Sequence, residues 1–171
     1  MAFEKESMER IAFIDGQNLH DYHLNEMQSN IAEGLKRKMT LERYDTYLLL
    51  SPYSVYFAED FTTDEFRNNA SSAIRNKLTM AIEADTWISV MHELPEQAEE
   101  IYLVSKYWES RANGATVAFS YRTTTNGSWV PFPVDTGILL AIKSRYIQIR
   151  VQCGYTDQVR PAVVDYALMY K

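Results

Sequence analysis

From Tyr146 to Gln152 the chain reads Tyr-Ile-Gln-Ile-Arg-Val-Gln, with a branched apolar residue at every second position. Side chains alternate faces along a strand. Ile147, Ile149 and Val151 therefore share one face, and Tyr146, Gln148, Arg150 and Gln152 the other. The pattern returns at Ala162, Val164, Tyr166, Leu168 and Tyr170, with Asp165 on the opposite face. Two half-buried strands joined by a polar loop predict the closing hairpin of a β-sandwich.

Earlier segments supply strands for that hairpin to pack on. Leu78, Met80 and Ile82 alternate with polar residues, and Trp87–Met91 reads as a second strand. Ile101–Trp108 is apolar on both faces, as in a central strand. Val117, Phe119 and Tyr121 alternate with Ala118, Ser120 and Arg122, and Asn126-Gly127 is a hairpin signal because both turn positions favour positive φ. Trp129–Phe132 pairs back across that turn, and Ile138, Leu140 and Ile142 make one more strand. Glu93–Glu100 reads as an acidic loop. These seven or eight short strands predict a sandwich or jelly roll over residues 53–171.

The first third has a different period. Arg10–Asp15 suits a short strand, ended by the Asp15-Gly16 turn, after which Asn18 or Asp21 caps a helix. From Leu19 to about Leu50 there is no proline, and Leu24, Met27, Ile31, Leu35, Leu41, Tyr44 and Leu48 fall mostly three or four apart. That spacing makes one apolar stripe. A helix of about thirty residues is roughly 45 Å long, more than a small sandwich spans. Either it breaks, with Gly34 the weak point, or part of its stripe lies on another subunit. The expected fold class is thus α+β but mainly β: an N-terminal unit, residues 1–52, then an antiparallel, jelly-roll-like β-sandwich. Ser51-Pro52 ends the helix, and Tyr53–Asn69 is an irregular connector with a strand near Val55–Phe57.

Composition narrows the function. With 171 residues and 46% hydrophobic content the chain can bury a core without metals or disulfides. The formal charge of −6 argues against sequence-independent nucleic-acid binding. No apolar run approaches the roughly twenty residues that cross a bilayer, and the first residues are no signal peptide. The single Cys153 allows neither an intramolecular disulfide nor a cysteine-rich zinc site and suits a buried thiol. Twelve tyrosines suit broad β surfaces and interfaces.

Two pieces together resemble a family. Gly16–Ile31 carries Leu24-Asn25-Glu26-Met27-Gln28 after a glycine turn and a leucine. It looks like the start of tail and baseplate proteins of tailed bacteriophages. The later pattern runs from Trp87-Ile88-Ser89 through Gly114–Ser120, Asn126-Gly127-Ser128-Trp129 and Arg145–Val151 to a last strand ending in Tyr170. It is similar to the jelly-roll, carbohydrate-binding-type modules of phage virion proteins. The resemblance implies a non-enzymatic virion component without cofactors, assembled in the host cytoplasm. Its helix would dock on other virion proteins through Leu24, Met27, Ile31 and Leu35, often in threefold copies. It would anchor receptor-binding parts that meet host glycan, and bind neither nucleic acid nor membrane.

Other chemistry is weighed on the residues. Trp87, Trp108 and Trp129 are candidate glycan-binding residues, because aromatic faces stack on pyranose rings; the same positions also suit a core or an interface. Phe13-Ile14-Asp15-Gly16-Gln17-Asn18 resembles the first strand of a NYN or PIN-like metal-dependent ribonuclease. That enzyme needs several carboxylates at the ends of parallel strands. His20 and His23 share a helix face but lack a third ligand, and the spacing of Asp135, Asp157 and Asp165 forms no calcium site. His92 beside Glu93 lacks a nucleophile. Glu59-Asp60 and Asp64-Glu65, with the acidic loop, suit solvated loops or the steering of a basic partner.

Overall fold

The computed structural model describes residues 21–50, 52–76 and 78–171, with only the backbone described for residues 21–26, 45–50, 55 and 56. The strand expected at Arg10–Asp15, the turn after it, Asn18 and His20 lie outside the described residues. Among these residues one α-helix, α1 (Asp21–Leu50), precedes eight strands: β1 (Ser54–Glu59), β2 (Ile74–Arg75), β3 (Ile82–Ile88), β4 (His92–Trp108), β5 (Thr116–Arg122), β6 (Val130–Pro131), β7 (Gly137–Gly154) and β8 (Ala162–Tyr170). The protein is therefore mainly β, and every ladder among the described residues is antiparallel. The ribonuclease resemblance requires a parallel sheet with alternating helices, and these antiparallel ladders do not supply one.

The strands close into a barrel. β4 runs along one side of β8, while β1 and then β3 take the other side. β7 pairs with β4 through its first half and lies between β3 and β5 through its second. β3 makes the same transfer: Ile82 pairs with Val163 of β8, and Asp85–Ile88 pair with β7. The ring β3–β8–β4–β7 is thus closed, with β1, β2, β5 and β6 added to it. At the changeover in β3, Asp85 has φ 64°, a left-handed conformation that short polar side chains tolerate. It reverses the alternation, so Ile82, Ala84 and Trp87 all point inward.

Side chains from all the ring strands fill the interior. Ile147, Ile149 and Val151 are buried on one face of β7, as their period of two requires. They meet Leu94, Ala98, Ile101 and Leu103 of β4, Trp87 of β3, and Val163, Tyr166 and Leu168 of β8. In β8 the ladder steps from Lys106↔Asp165 to Tyr107↔Val163, leaving Val164 without a residue opposite. This bulge turns Val163 inward and Asp165 outward. The sequence pattern, carried straight through, assigns Ala162 and Val164 to the core face; both are half-buried, and Val163 is buried instead.

Three further expectations are corrected. β7 and β8 form no hairpin ladder, because β4 lies between them. Glu93–Glu100 is strand rather than loop: β4 runs through it, burying Leu94 and Ala98. Pro95 is accommodated where the ladder breaks between Glu93↔Tyr146 and Ala98↔Ser144, so its missing N–H costs no strand pairing. Asn126-Gly127 does not adopt the positive φ of a tight hairpin turn. Instead the Gly127 N–H donates to the Thr124 carbonyl at 3.0 Å within a longer loop. The glycine that needs positive φ is Gly114, at 78°, ending the short 3₁₀ turn Arg111–Asn113.

Candidate assembly surface

α1 is unbroken through Gly34, 30 residues or about 45 Å long. Among its described side chains only Thr40 and Tyr44 are buried. Among the described side chains, most of the helix's hydrogen bonds to the barrel gather around Asp165. The bulge at Val164 turns that carboxylate out of the barrel, where it is 1% exposed beneath the helix. Tyr44 donates its hydroxyl to Asp165 Oδ1 at 2.7 Å, Thr40 donates to Oδ2 at 3.3 Å, and the Lys106 N–H donates to Oδ1 at 3.2 Å. Arg43 adds an ion pair and a hydrogen bond to the same oxygen. Around this node Tyr44, Val104, Ala167 and Met169 form a second apolar cluster, packed outside the barrel wall.

One turn earlier, Lys36 Nζ donates to the Met80 carbonyl at 2.5 Å. Burial holds its amine down to about 8, against the pull of Asp60, Asp165 and Glu59. Glu59 and Asp60, which read as a solvated connector, are buried. The Phe61 N–H donates to Glu59 Oε1 at 2.7 Å. Burial of this carboxyl, with the charge of Asp60, pushes it up to about 8. The contact between helix and barrel is thus a charged layer with a small apolar patch.

The anchoring row Lys36, Thr40 and Tyr44 has a neighbour one residue back. Met27, Ile31, Leu35 and Met39 are also four apart, about 100° around the helix. Their exposures are 40%, 56%, 58% and 67%. The single stripe expected from the sequence therefore divides. Leu35 to Leu41 is a step of six residues, which carries the later apolar positions to another face. Tyr44 covers the barrel while Met27, Ile31 and Leu35 do not. The Leu24 backbone continues the same helix, and its side chain lies outside the described ones.

The tryptophans do not form one platform. Trp87 is 1% exposed in the barrel core, edge-on to Phe61, so its face is closed to a sugar. Trp108, at the end of β4, is 52% exposed. Trp129 is half-buried against Arg122 and Arg150. His92 is buried, stacked on Phe57, and held down to about 4 by burial. Cys153 is a buried thiol pushed up to about 12 by burial and then by Asp85. Among the described residues no group of three His, Cys, Asp or Glu could hold a metal ion, and no helix is long and apolar enough to cross a membrane. The Phe13–Asn18 segment lies outside the described residues, as do His20 and the His23 side chain. Compared with protein-family models, curated proteins and solved structures, the chain has no match.

Proposed function

We propose that this chain is a structural, non-enzymatic component of a tailed-phage virion, placed in the tail or baseplate. In this reading the barrel is a jelly-roll-like module whose two sheets share β3 and β7. It carries α1 as an arm that docks on neighbouring virion subunits, further copies of the chain among them. The observation that carries the reading is the exposed row Met27, Ile31, Leu35 and Met39 on a helix anchored elsewhere. A helix that served only its own domain would turn its apolar row toward the barrel. Here that row faces solvent, and charged and hydroxyl groups make the intramolecular contact. Roughly half of four large apolar side chains remains to be covered. At about 2 kcal/mol for full burial of each, covering them contributes about 4 kcal/mol per helix.

Light scattering on the purified chain and on Ile31→Asp tests the docking. The wild type is expected to assemble, and the variant to fall toward monomer with an unchanged circular dichroism spectrum. The virion assignment is tested by protein quantification in purified particles, where a structural part occurs at fixed copy number. A wild type that stays monomeric at high concentration and is missing from particles would end the proposal.

A further inference from the structure

The outer face of β5 and β7 carries a pair of positive charges that no carboxylate among the described residues offsets. The ladder sets Ser120 opposite Arg150 and Arg122 opposite Gln148, which places all four side chains on one face of the sheet. Ser120 and Gln148 are buried and form the floor. Arg150 Nε donates to Ser120 Oγ at 2.9 Å, and Arg122 Nε donates to Gln148 Oε1 at 2.6 Å. Gln148 is itself fixed, its Nε2 donating to the Ser89 carbonyl at 2.7 Å. Trp129 arrives from the loop before β6. Its indole lies 4.5 Å from the Arg122 guanidinium carbon and 4.6 Å from that of Arg150.

Each guanidinium is therefore held in two ways, by an Nε–H bond to the sheet and by an aromatic face. That leaves both terminal N–H forks without a protein acceptor among the described residues. Two like charges on diagonal positions repel, and neither has an ion-pair partner there. Burial and then the Arg122 charge hold the Arg150 guanidinium below its ordinary value. Other arginines of the chain have carboxylate partners, as Arg111 does with Glu109 and Arg145 with Glu93. This pair is instead immobilised, with its forks free. Planar forks match oxoanions in bidentate geometry, and fixing them beforehand lowers the cost of binding.

We propose that Arg122 and Arg150, braced by Trp129, form a binding site for one oxoanion group, a carboxylate, sulfate or phosphate, carried by a ligand from solvent. The site stands on the opposite end of the sequence from α1 and does not depend on the assembly reading. Calorimetric titration of the full chain at fixed ionic strength tests it, in three arms: sodium phosphate, sodium sulfate, and an oligogalacturonate whose uronates supply the carboxylate. A neutral oligosaccharide of the same length is the control. Saturable binding in at least one charged arm is expected, and the tightest arm names the source of the anion. Arg150→Gln and Arg122→Gln should each weaken it about tenfold or more. Arg122→Lys keeps the charge without the fork and should recover only part of the affinity. Equal affinity in wild type and in folded Arg150→Gln and Arg122→Gln overturns the site. So does tighter binding of the neutral sugar, or no saturable binding in any charged arm below about 10 mM.

Discussion

Asp165→Asn tests how much of the hold of α1 on the barrel comes from the Asp165 carboxylate. The substitution preserves shape but removes the charge that faces Arg43, and it places an amide among donors. The Tyr44 hydroxyl, the Thr40 hydroxyl, the Lys106 N–H and the Arg43 guanidinium all donate to this carboxylate. Hydrogen bonds to a charged group contribute about 1.5–3 kcal/mol, and breaking a fully buried pair costs about 3–5. Arg43 keeps 31% of its side chain exposed and can partly rehydrate, so the lower end applies, about 3 kcal/mol. For a domain of this size that corresponds to a Tm lower by roughly 6–12 °C. In urea the midpoint should fall by about 1.5 M at an m of about 2 kcal/mol/M. Hydrogen exchange locates the loss. Amides around Lys36–Tyr44 should exchange faster, while those of Ile147–Val151 keep their rank as the slowest. A double-mutant cycle with Arg43→Met should give a coupling above about 1 kcal/mol. Asp165→Asn melting within about 0.5 kcal/mol of wild type would show that the apolar patch, and not the carboxylate, holds the helix.

Three further outcomes are expected. The folded chain keeps a proton on Glu59, at about 8, that the unfolded chain releases near 4.5; this stabilisation is complete at low pH and is lost as pH rises to 8. His92, held to about 4, acts in the opposite sense and is complete above 6.5. Between pH 6.5 and 8, Glu59 therefore dominates the slope; Lys36, held down to about 8, opposes it only as pH nears 8. Wild-type stability should fall there by about 2 kcal/mol, a decline that urea melts of Glu59→Gln should not show. Gly114→Ala places a Cβ 2.8 Å from Thr156 Cγ2 at a positive φ, and should cost about 1–2 kcal/mol in the same melts. Met27→Asp should lower the assembled mass as Ile31→Asp does, with the thermal midpoint unchanged, since neither side chain is buried in the monomer.

Local period was enough to locate most strands and one face of the core. Ile147, Ile149, Val151, Val117, Phe119 and Tyr121 are buried where alternation places them, and Leu168 and Tyr170 of β8 likewise. What the pattern missed depends on which strand lies alongside. The bulge at Val164 and the left-handed Asp85 each shift the alternation by one residue, and both occur where pairing changes across the sheet. Neither position carries a glycine or proline to signal it. Glu59 and Asp60 are polar neighbours in a connector, and nothing local shows that they will be buried.

The two surfaces given functional weight differ in the same respect. The row Met27, Ile31 and Leu35 is legible because it needs only the helical period, and its exposure is the new information. Arg122, Trp129 and Arg150 come from three separate segments; the register of β5 against β7 brings the arginines together, and the loop before β6 adds the indole. Residue type alone groups Trp129 with Trp87 and Trp108. Their environments separate them: one ring is core, one stands at the end of a strand, and one braces two cations. Each surface thus shows a different kind of incompleteness. Among the described residues the helix row lacks apolar cover, and the arginine pair lacks a counter-charge. The two are read separately, one as assembled mass and the other as anion binding, so Ile31→Asp should leave anion affinity unchanged and Arg150→Gln should leave assembled mass unchanged.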